Sequence, residues 1–489
     1  MRIFNVRLGF ATNSSSTHSI VHVRDPSGVN DKDVEDGEFG WNFFTAKSAR
    51  AKQSYMAQIL KATLSQNLPN DMVEIIVKEW VGVPLDKHGY VDHQSCFVIP
   101  RTHGQIMPSR ELFDELMENV LRPEVAILGG NDNDDHNHYL VDEGKVELPF
   151  VTGLPEDAAR AFMDDHGVSM RPDYCRDWIC RKDSDEWVLF NQGTGTKIRC
   201  RMDGVPAKKV ERALVPELVD LKITERCHCA CEYCYQSSSS AGTDAIHDDL
   251  YSIAWALSEM GVFEVAIGGG DPVLHPKFAE LLGNFRKNDV VPNFSTRSLD
   301  WMRNPEIRDS VKENCGAFAI STTDRTMLPR LAALVDDNGF DRNKVKIHVP
   351  MGIMESYEFP YFIEDAIKLD LGVVALGFKR AGRGLKYSPK QYSDWIIDVK
   401  KANRKVTTRK DFPWTLSADT TLMEESKKNG WAGYDEIPEK LYRLGEGKFS
   451  CYIDAVGGVI APSSFSDDKH TLDFADDLKA QILDKFKGF

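Results

Sequence analysis

RCHCACEYCY, residues 226–235, holds four cysteines within eight positions, and its reading decides the fold. A closed structural zinc site uses four thiolates, usually from two separated pairs. An iron–sulfur cluster that keeps one iron open for a ligand uses three. Cys227, Cys231 and Cys234 are spaced C-x3-C-x2-C, and Cys229 is the extra thiol. A zinc site would draw all four ligands from one tight loop with single-residue C-x-C spacings, which the usual pairing of zinc ligands disfavours. His228 reads as a polar loop residue.

The flanking sequence supplies the context. LVDLKIT, 218–224, is a strand that runs into the cysteine loop. DAIHDDLYSIAWALSEMG, 244–261, is a helix with Ile246, Leu250, Ile253, Ala254 and Leu257 on one face. VFEVAIG, PKFAELLGNFRKN, VVPNFS, AFAIS, KVKIHVPMG, FIEDAIKLDLG and VVALGF continue the alternation of short apolar strands with helices. That pattern predicts an α/β fold with a parallel sheet, and six strand units suit a partial (β/α)6 barrel. In such a barrel the loops after the strand C-termini carry the chemistry.

A C-x3-C-x2-C loop after the first strand of such a barrel resembles the radical S-adenosylmethionine (radical SAM) superfamily. The resemblance implies a [4Fe–4S] cluster on Cys227, Cys231 and Cys234, with the open iron binding S-adenosyl-L-methionine. It leaves Cys229 as the spare, expected to point away from the cluster. AIGGGDPVLHP, 266–276, follows the second strand, and Gly269-Gly270-Asp271-Pro272 is similar to the family's Gly-Gly-Glu-Pro element. In the family that backbone receives the cofactor's amino group, and glycines permit close approach. Asp271 stands where Glu is more usual, with the same charge and a shorter reach. The resemblance further implies cofactor contacts from Ser295 and Arg297 to the carboxylate and from Ser321 to the ribose. It places Tyr233, Val349 and Met351 near the adenine. Barrel packing is the competing reading for Ser321, Val349 and Met351. GFKRAGRG, 377–384, is expected to face cofactor or substrate.

The remaining chain is less regular. Residues 1–208 read as an N-terminal α+β region, 209–385 as the barrel and 386–489 as a C-terminal extension. Helical spacing covers 47–66 and 109–121, with Ser109 as an N-cap. EVAILGG, 124–130, reads as a strand, and 186–202 as a hairpin. Asn13, Ser14, Ser15, Ser16, Thr17 and His18 read as a turn, with a lid or self-substrate segment as the sharper alternative. QSSSSAG, 236–242, reads as a connector next to the cysteine loop. Asp132, Asp134, Asp135, His136 and His138 form a polar loop able to take a divalent cation but more in keeping with solvation. Cys175, Cys180 and Cys200 read as isolated thiols rather than a second cluster. SCYIDAVGGVIAPSSF, 450–465, resembles a SPASM or twitch hairpin. Cys451 is the one cysteine after Cys315, so strand geometry without an auxiliary cluster is expected.

Composition narrows the function. The 489 residues carry a net charge of −15, which argues against broad nucleic-acid binding. No apolar run reaches the roughly 20 residues of a membrane helix, and the first residues lack the apolar core of a secretory signal. Ten cysteines in a chain read as cytoplasmic point to metal binding or reactivity rather than disulfides. The expectation is an oxygen-sensitive radical SAM enzyme that cleaves its cofactor reductively to a 5′-deoxyadenosyl radical and abstracts hydrogen from a substrate. It draws on an external electron donor. A peptide or protein substrate is one reading, a small molecule or nucleotide another, and a non-catalytic iron–sulfur redox sensor a third.

Overall fold

The computed structural model describes residues 16–23, 38–39, 44–65, 68–86, 89–91, 99–105, 107–131, 146–147, 177–201, 211–406, 416–437 and 446–489. The chain divides into two compact units, residues 1–210 and 211–489.

The second unit is built on one sheet. Its strands are β1 (Leu218–Thr224), β2 (Glu264–Gly269), β3 (Val291–Thr296), β4 (Phe318–Ser321), β5 (Val345–Pro350), β6 (Gly372–Leu376), β7 (Leu416–Ala418), β8 (Ser450–Asp454), β9 (Val459–Ala461) and β10 (His470–Thr471). The spatial order is β7-β6-β5-β4-β3-β2-β1-β8-β9-β10. Pairing is parallel from β7 through β8 and antiparallel from β8 to β10. The sheet has two ends, so the barrel is partial. Between successive strands lie α1 (His247–Met260), α2 (Phe278–Lys287), α3 (Pro305–Asn314), α4 (Met327–Asp337), α5 (Phe359–Lys368) and α6 (Trp395–Val406). Then come α7 (Thr420–Lys428) and the closing α8 (Leu478–Gly488).

Local chemistry sets these boundaries. Asn304 caps α3 by accepting from the Glu306 amide at 3.0 Å, and Pro305 occupies its first turn, where a missing N–H costs nothing. Gly261 ends α1 in the left-handed region, at φ 73°. The core lies between sheet and helices. In β5, Val345, Ile347 and Val349 are buried, whereas Lys346, His348 and Pro350 are half-buried on the other face. Phe359, Phe362, Ile363 and Ala366 supply the buried face of α5. Each fully buried Val, Leu, Ile or Phe contributes about 1.5–3 kcal/mol.

The boundary expected at residue 385 has no counterpart in this sheet. β7 and β8 extend it at both flanks of the six expected strands, and Leu422, Cys451, Ile482 and Phe486 share one core with Val219 and Ile347. The physical reason is the edge of β1, whose ladder groups β8 satisfies from Leu218↔Ser450 to Lys222↔Asp454. The hairpin β8–β9, read as part of an appended module, is therefore a continuation of the barrel wall.

In the first unit, helices Ala49–Leu64, Asn70–Val81 and Arg110–Val120 surround a core that includes Phe44, Tyr55, Phe113 and Ile127. Ser109 caps the third helix through the Leu112 amide at 3.3 Å. Ser16, Thr17 and His18 begin a strand, Ser16–Val23, that pairs antiparallel with Val125–Asn131, so they do not form the expected turn. A strand there satisfies the backbone groups that a turn would leave to side chains. Asn13, Ser14, Ser15 and residues 132–139 lie outside the described residues.

Candidate active site

The cysteine loop leaves the C-terminal end of β1 and is fixed by its own backbone. The Glu225 amide donates to the Thr243 carbonyl at 2.7 Å, and the Cys227 amide to the Ser239 carbonyl at 2.9 Å. Thr224 Oγ1 donates to Asp244 at 2.6 Å and accepts from the Arg226 amide at 2.9 Å. Arg226 pairs with the same Asp244 carboxylate and donates to the Leu274 carbonyl at 2.8 Å. The QSSSSAG segment is thus the returning arm of the loop rather than a loose connector.

Arg383, from the segment after β6, clamps this loop from outside. Its amide donates to the Cys234 carbonyl at 2.9 Å, its Nε to the Cys231 carbonyl at 2.8 Å and its Nη1 to the Ser238 carbonyl at 2.9 Å. Lys222 clamps from inside: its buried Nζ lies 2.7 Å from Glu225 and 2.9 Å from Asp454. Asp454 in turn accepts from the Val456 and Gly457 amides of the β8–β9 turn. Ala230, between Cys229 and Cys231, is held at φ 46°, a conformation unfavourable for a residue with a Cβ.

The Gly-Gly-Asp-Pro element lies against the base of that loop. The Gly270 amide donates to the Thr224 carbonyl and the Asp271 amide to the Arg226 carbonyl, each at 2.7 Å. Gly269 has φ 114°, and a Cβ on Gly270 would strike the Arg226 carbonyl oxygen. The close approach that needs glycine is therefore made to the cysteine loop itself. Asp271 is buried and accepts from Thr296 Oγ1 at 2.7 Å; burial holds its carboxyl above the usual range.

A cavity of about 610 Å³ opens at the C-terminal ends of the strands, within the roughly 300–1,000 Å³ of small-molecule sites. Cys227, Cys231, Cys234, Tyr233, Gly269, Gly270, Asp271, Ser295, Arg297 and Ser321 all line it. Arg297 Nη1 lies 2.6 Å from Cys231 Sγ and 2.9 Å from the Tyr233 hydroxyl, so it is directed at the cysteine rim. Three expected positions do not line the cavity. Pro272 is buried in a short 3-10 turn, and Val349 and Met351 are buried in the hydrophobic core. The cause is the two-residue period of a strand: in β5 the cavity-facing residues are Lys346, His348 and Pro350. Cys229 is exposed yet also borders the cavity, with its amide 3.5 Å from Cys227 Sγ. It does not point away. Its thiol is the main influence that holds Cys227 low, at about 6.

Deeper in the cavity lies a charged wall that the motifs did not reveal. Asp220, His348, Lys379, Asp419, Glu446 and Tyr452 all face it. Burial pushes Glu446 up to about 7 and His348 down to about 4, and it raises Asp220 and Asp419. Burial opposes the charge on Lys379, but Tyr235, Asp419, Asp220 and Glu446 together outweigh it. The available signal was alternation: Asp220 and Lys222 interrupt an otherwise apolar β1 two residues apart, as Lys346 and His348 do in β5.

The other thiols among the described residues lie in apolar surroundings, and Cys175 lies outside the described residues. Cys180 and Cys200 pack with Leu112 and Trp187, and burial pushes both up to about 12. Cys315 and Cys451 are buried too. Among the described residues no three His, Cys, Asp or Glu side chains converge on one ion-sized position. Three soft thiols along one cavity rim, facing glycine backbone, instead suit a multi-iron cluster, which is larger than an ion. No helix among the described residues is long and apolar enough to cross a membrane.

Known proteins share parts of this architecture. Residues 221–349 match the Radical SAM superfamily. GTP 3′,8-cyclase from Haemophilus influenzae is 25% identical over 186 residues, 33% of this chain and 55% of that protein. The chain thus spans about half the length of this relative. The crystal structure of Streptococcus suis SuiB bound to precursor peptide SuiA overlaps 64% of this chain and 88% of that one, at TM-score 0.50 and 12% identity, a likeness of fold. Native anSMEcpe with bound AdoMet overlaps 54% and 80%, at TM-score 0.39 and 13% identity.

Proposed function

From the premise that residues 221–349 form a radical SAM domain, we propose that the chain is a radical S-adenosylmethionine enzyme with its active site in this cavity. Cys227, Cys231 and Cys234 would hold the [4Fe–4S] cluster, and Gly269, Gly270, Asp271, Ser295, Arg297, Ser321 and Tyr233 border the space for S-adenosylmethionine. When bound, cluster and cofactor together supply, after one-electron reduction by an external donor, a 5′-deoxyadenosyl radical able to abstract hydrogen from a substrate. The chain's own part is positional. Arg383 and Lys222 fix the thiol loop, and Arg297 brings a cation to the rim. The observation that carries this reading is the convergence of the three thiols and the glycine element on one cavity.

Anaerobic reconstitution with iron, sulfide, reductant and S-adenosylmethionine tests it. The expected product is 5′-deoxyadenosine, and Cys231→Ala should abolish both cluster and product. Full iron loading and cleavage in that variant would overturn the assignment. A loaded protein that never cleaves the cofactor would favour the redox-sensor reading. For the substrate, a peptide or protein is supported by the fold shared with SuiB, and a small molecule or nucleotide by the GTP 3′,8-cyclase likeness. The chain works in a reducing compartment, the cytoplasm, on this reading.

A further inference from the structure

The inner wall distinguishes among these substrates, provided that the cavity is the active site of a radical SAM enzyme. Three carboxylates, Asp220, Asp419 and Glu446, face the cavity around one ammonium, Lys379. Each belongs to a different part of the sheet: β1, the turn from β7 into α7, and the approach to β8. Asp419 is held by the Gly377 and Leu422 amides at 2.8 and 2.9 Å. Among the described residues, neither the Asp220 nor the Glu446 carboxyl has a hydrogen-bond or ion-pair partner, and Lys379 has no ion pair. The Lys379 Nζ instead lies 4.8 Å from the Tyr235 ring centre and 5.4 Å from that of Phe465. His348 is neutral near pH 7, because burial holds it at about 4. Lys346 sits lower on β5, where the acids that act on it are Asp341 and Asp370. Around Lys379 the carboxyl groups therefore outnumber the ammonium by three to one, inside a cavity where unpaired charge is costly. Burial raises all three carboxyls; Asp419 adds to the rise at Asp220, Glu424 to that at Asp419, and Asp220, Glu424 and Asp419 to that at Glu446. A nucleoside triphosphate would set its phosphates against these groups.

We propose that Asp220, Asp419 and Glu446 bind a positively charged nitrogen of the substrate, an ammonium or guanidinium. Aromatic faces from Tyr235, Phe378 and Phe465 border the same cavity and suit a cation. The nitrogen belongs either to a lysine or arginine side chain of a peptide or to a small polyamine-like molecule.

The test uses reconstituted, anaerobic full-length enzyme with S-adenosylmethionine bound. Titration calorimetry compares N-acetyl-lysine amide, agmatine, the neutral N-acetyl-norleucine amide and GTP. The basic probes should bind at least about tenfold more tightly than norleucine amide. Asp220→Asn and Glu446→Gln should each weaken them about tenfold, a loss of about 1.4 kcal/mol. Lys379→Met should strengthen them several-fold, because it removes the competing ammonium; a merely damaged fold would not move affinity both ways. Binding of the lysine amide alone identifies a peptide source, and binding of agmatine alone a small amine. Equal binding of norleucine amide, preference for GTP, or weaker binding in Lys379→Met would overturn the inference. Cofactor cleavage by the same wild-type sample separates the two readings. Cleavage without basic preference sinks only this inference; no cleavage sinks the catalytic assignment and this inference with it.

Discussion

The rim of the cavity and its inner wall are built in opposite ways. At the rim, polar groups are tied to protein partners: Thr224, Arg226, Asp244, Asp271, Thr296 and Arg383 each have a hydrogen bond in place. On the wall, the Asp220 and Glu446 carboxyls are left without one among the described residues. Groups satisfied before any ligand arrives hold geometry, which a cluster loop and a cofactor platform require. Groups left uncompensated in a walled cavity store electrostatic cost that a complementary ligand relieves. The contrast fits the proposal that the cofactors bind at the rim and that the wall selects the substrate.

The largest break in that contrast comes from loosening the rim. Arg383→Ala removes two guanidinium hydrogen bonds to loop carbonyls, and bonds from a charged donor contribute about 1.5–3 kcal/mol each. Iron content after reconstitution and the rate of 5′-deoxyadenosine formation should both fall about tenfold or more. Arg383→Lys should restore little, since one ammonium cannot reproduce the fork. Unchanged iron loading in the alanine variant would remove Arg383 from the rim's support. Gly270→Ala comes next. Its Cβ meets the Arg226 carbonyl oxygen, a backbone atom that cannot rotate aside. A destabilisation of about 1–3 kcal/mol is expected, read as a lower thermal midpoint together with reduced iron retention. A wild-type midpoint would show that the two loops have room to separate.

The rim was legible in the sequence because it is written in rare residues at fixed spacing. Cys227, Cys231 and Cys234 and the Gly269–Gly270 pair stand out against any background. The parallel sheet was legible from apolar runs of strand length, and β1 to β6 fall where those runs lie. Apart from Lys379, in the 377–384 segment, the wall was not legible, because its residues come from segments far apart in sequence and form no motif. Asp220 and Glu446 are brought together only because β8 pairs with β1, a contact between residues more than 220 positions apart. Val349 and Met351 show a further limit. An apolar residue at a strand end looks suited to an adenine ring, yet the period of two that buries Val345 and Ile347 buries Val349 with them. Arg383 lies in the 377–384 segment that the sequence singled out, but its task was hidden, because it acts on backbone carbonyls, which leave no pattern in side-chain identity.

Glu446 gives a smaller and pH-dependent effect. Its carboxyl is raised from 4.5 to about 7, first by burial, then by Asp220, Glu424 and Asp419, against the attraction of Lys379. A carboxyl raised in the folded state binds its proton more tightly there than in the unfolded chain. Its favourable contribution is therefore complete below about pH 4.5 and is lost as pH rises through about 7. Glu446→Gln cannot lose it. The midpoint of the variant relative to wild type should rise from pH 5 to pH 8, measured by thermal melts of the metal-free protein. A difference that stays flat over that window would mean the wall holds Glu446 no differently from solvent.

Cys229 offers the smallest effect on cluster assembly and the sharpest check on the rim. It is exposed, lies beside Cys227 and borders the cavity, so position alone does not exclude it as a ligand. Spacing does, if the loop keeps Cys227, Cys231 and Cys234. Cys229→Ala should then retain full iron content and cofactor cleavage. The variant should still leave a trace in the metal-free chain. The Cys229 side chain is the largest influence holding Cys227 down at about 6, so its removal should raise Cys227 toward an ordinary thiol. Alkylation of Cys227 at pH 7, followed by peptide mass mapping, should slow in the variant. Lost iron together with slowed alkylation would make Cys229 a ligand, and the rim would then have to be redrawn around a different three of its four thiols.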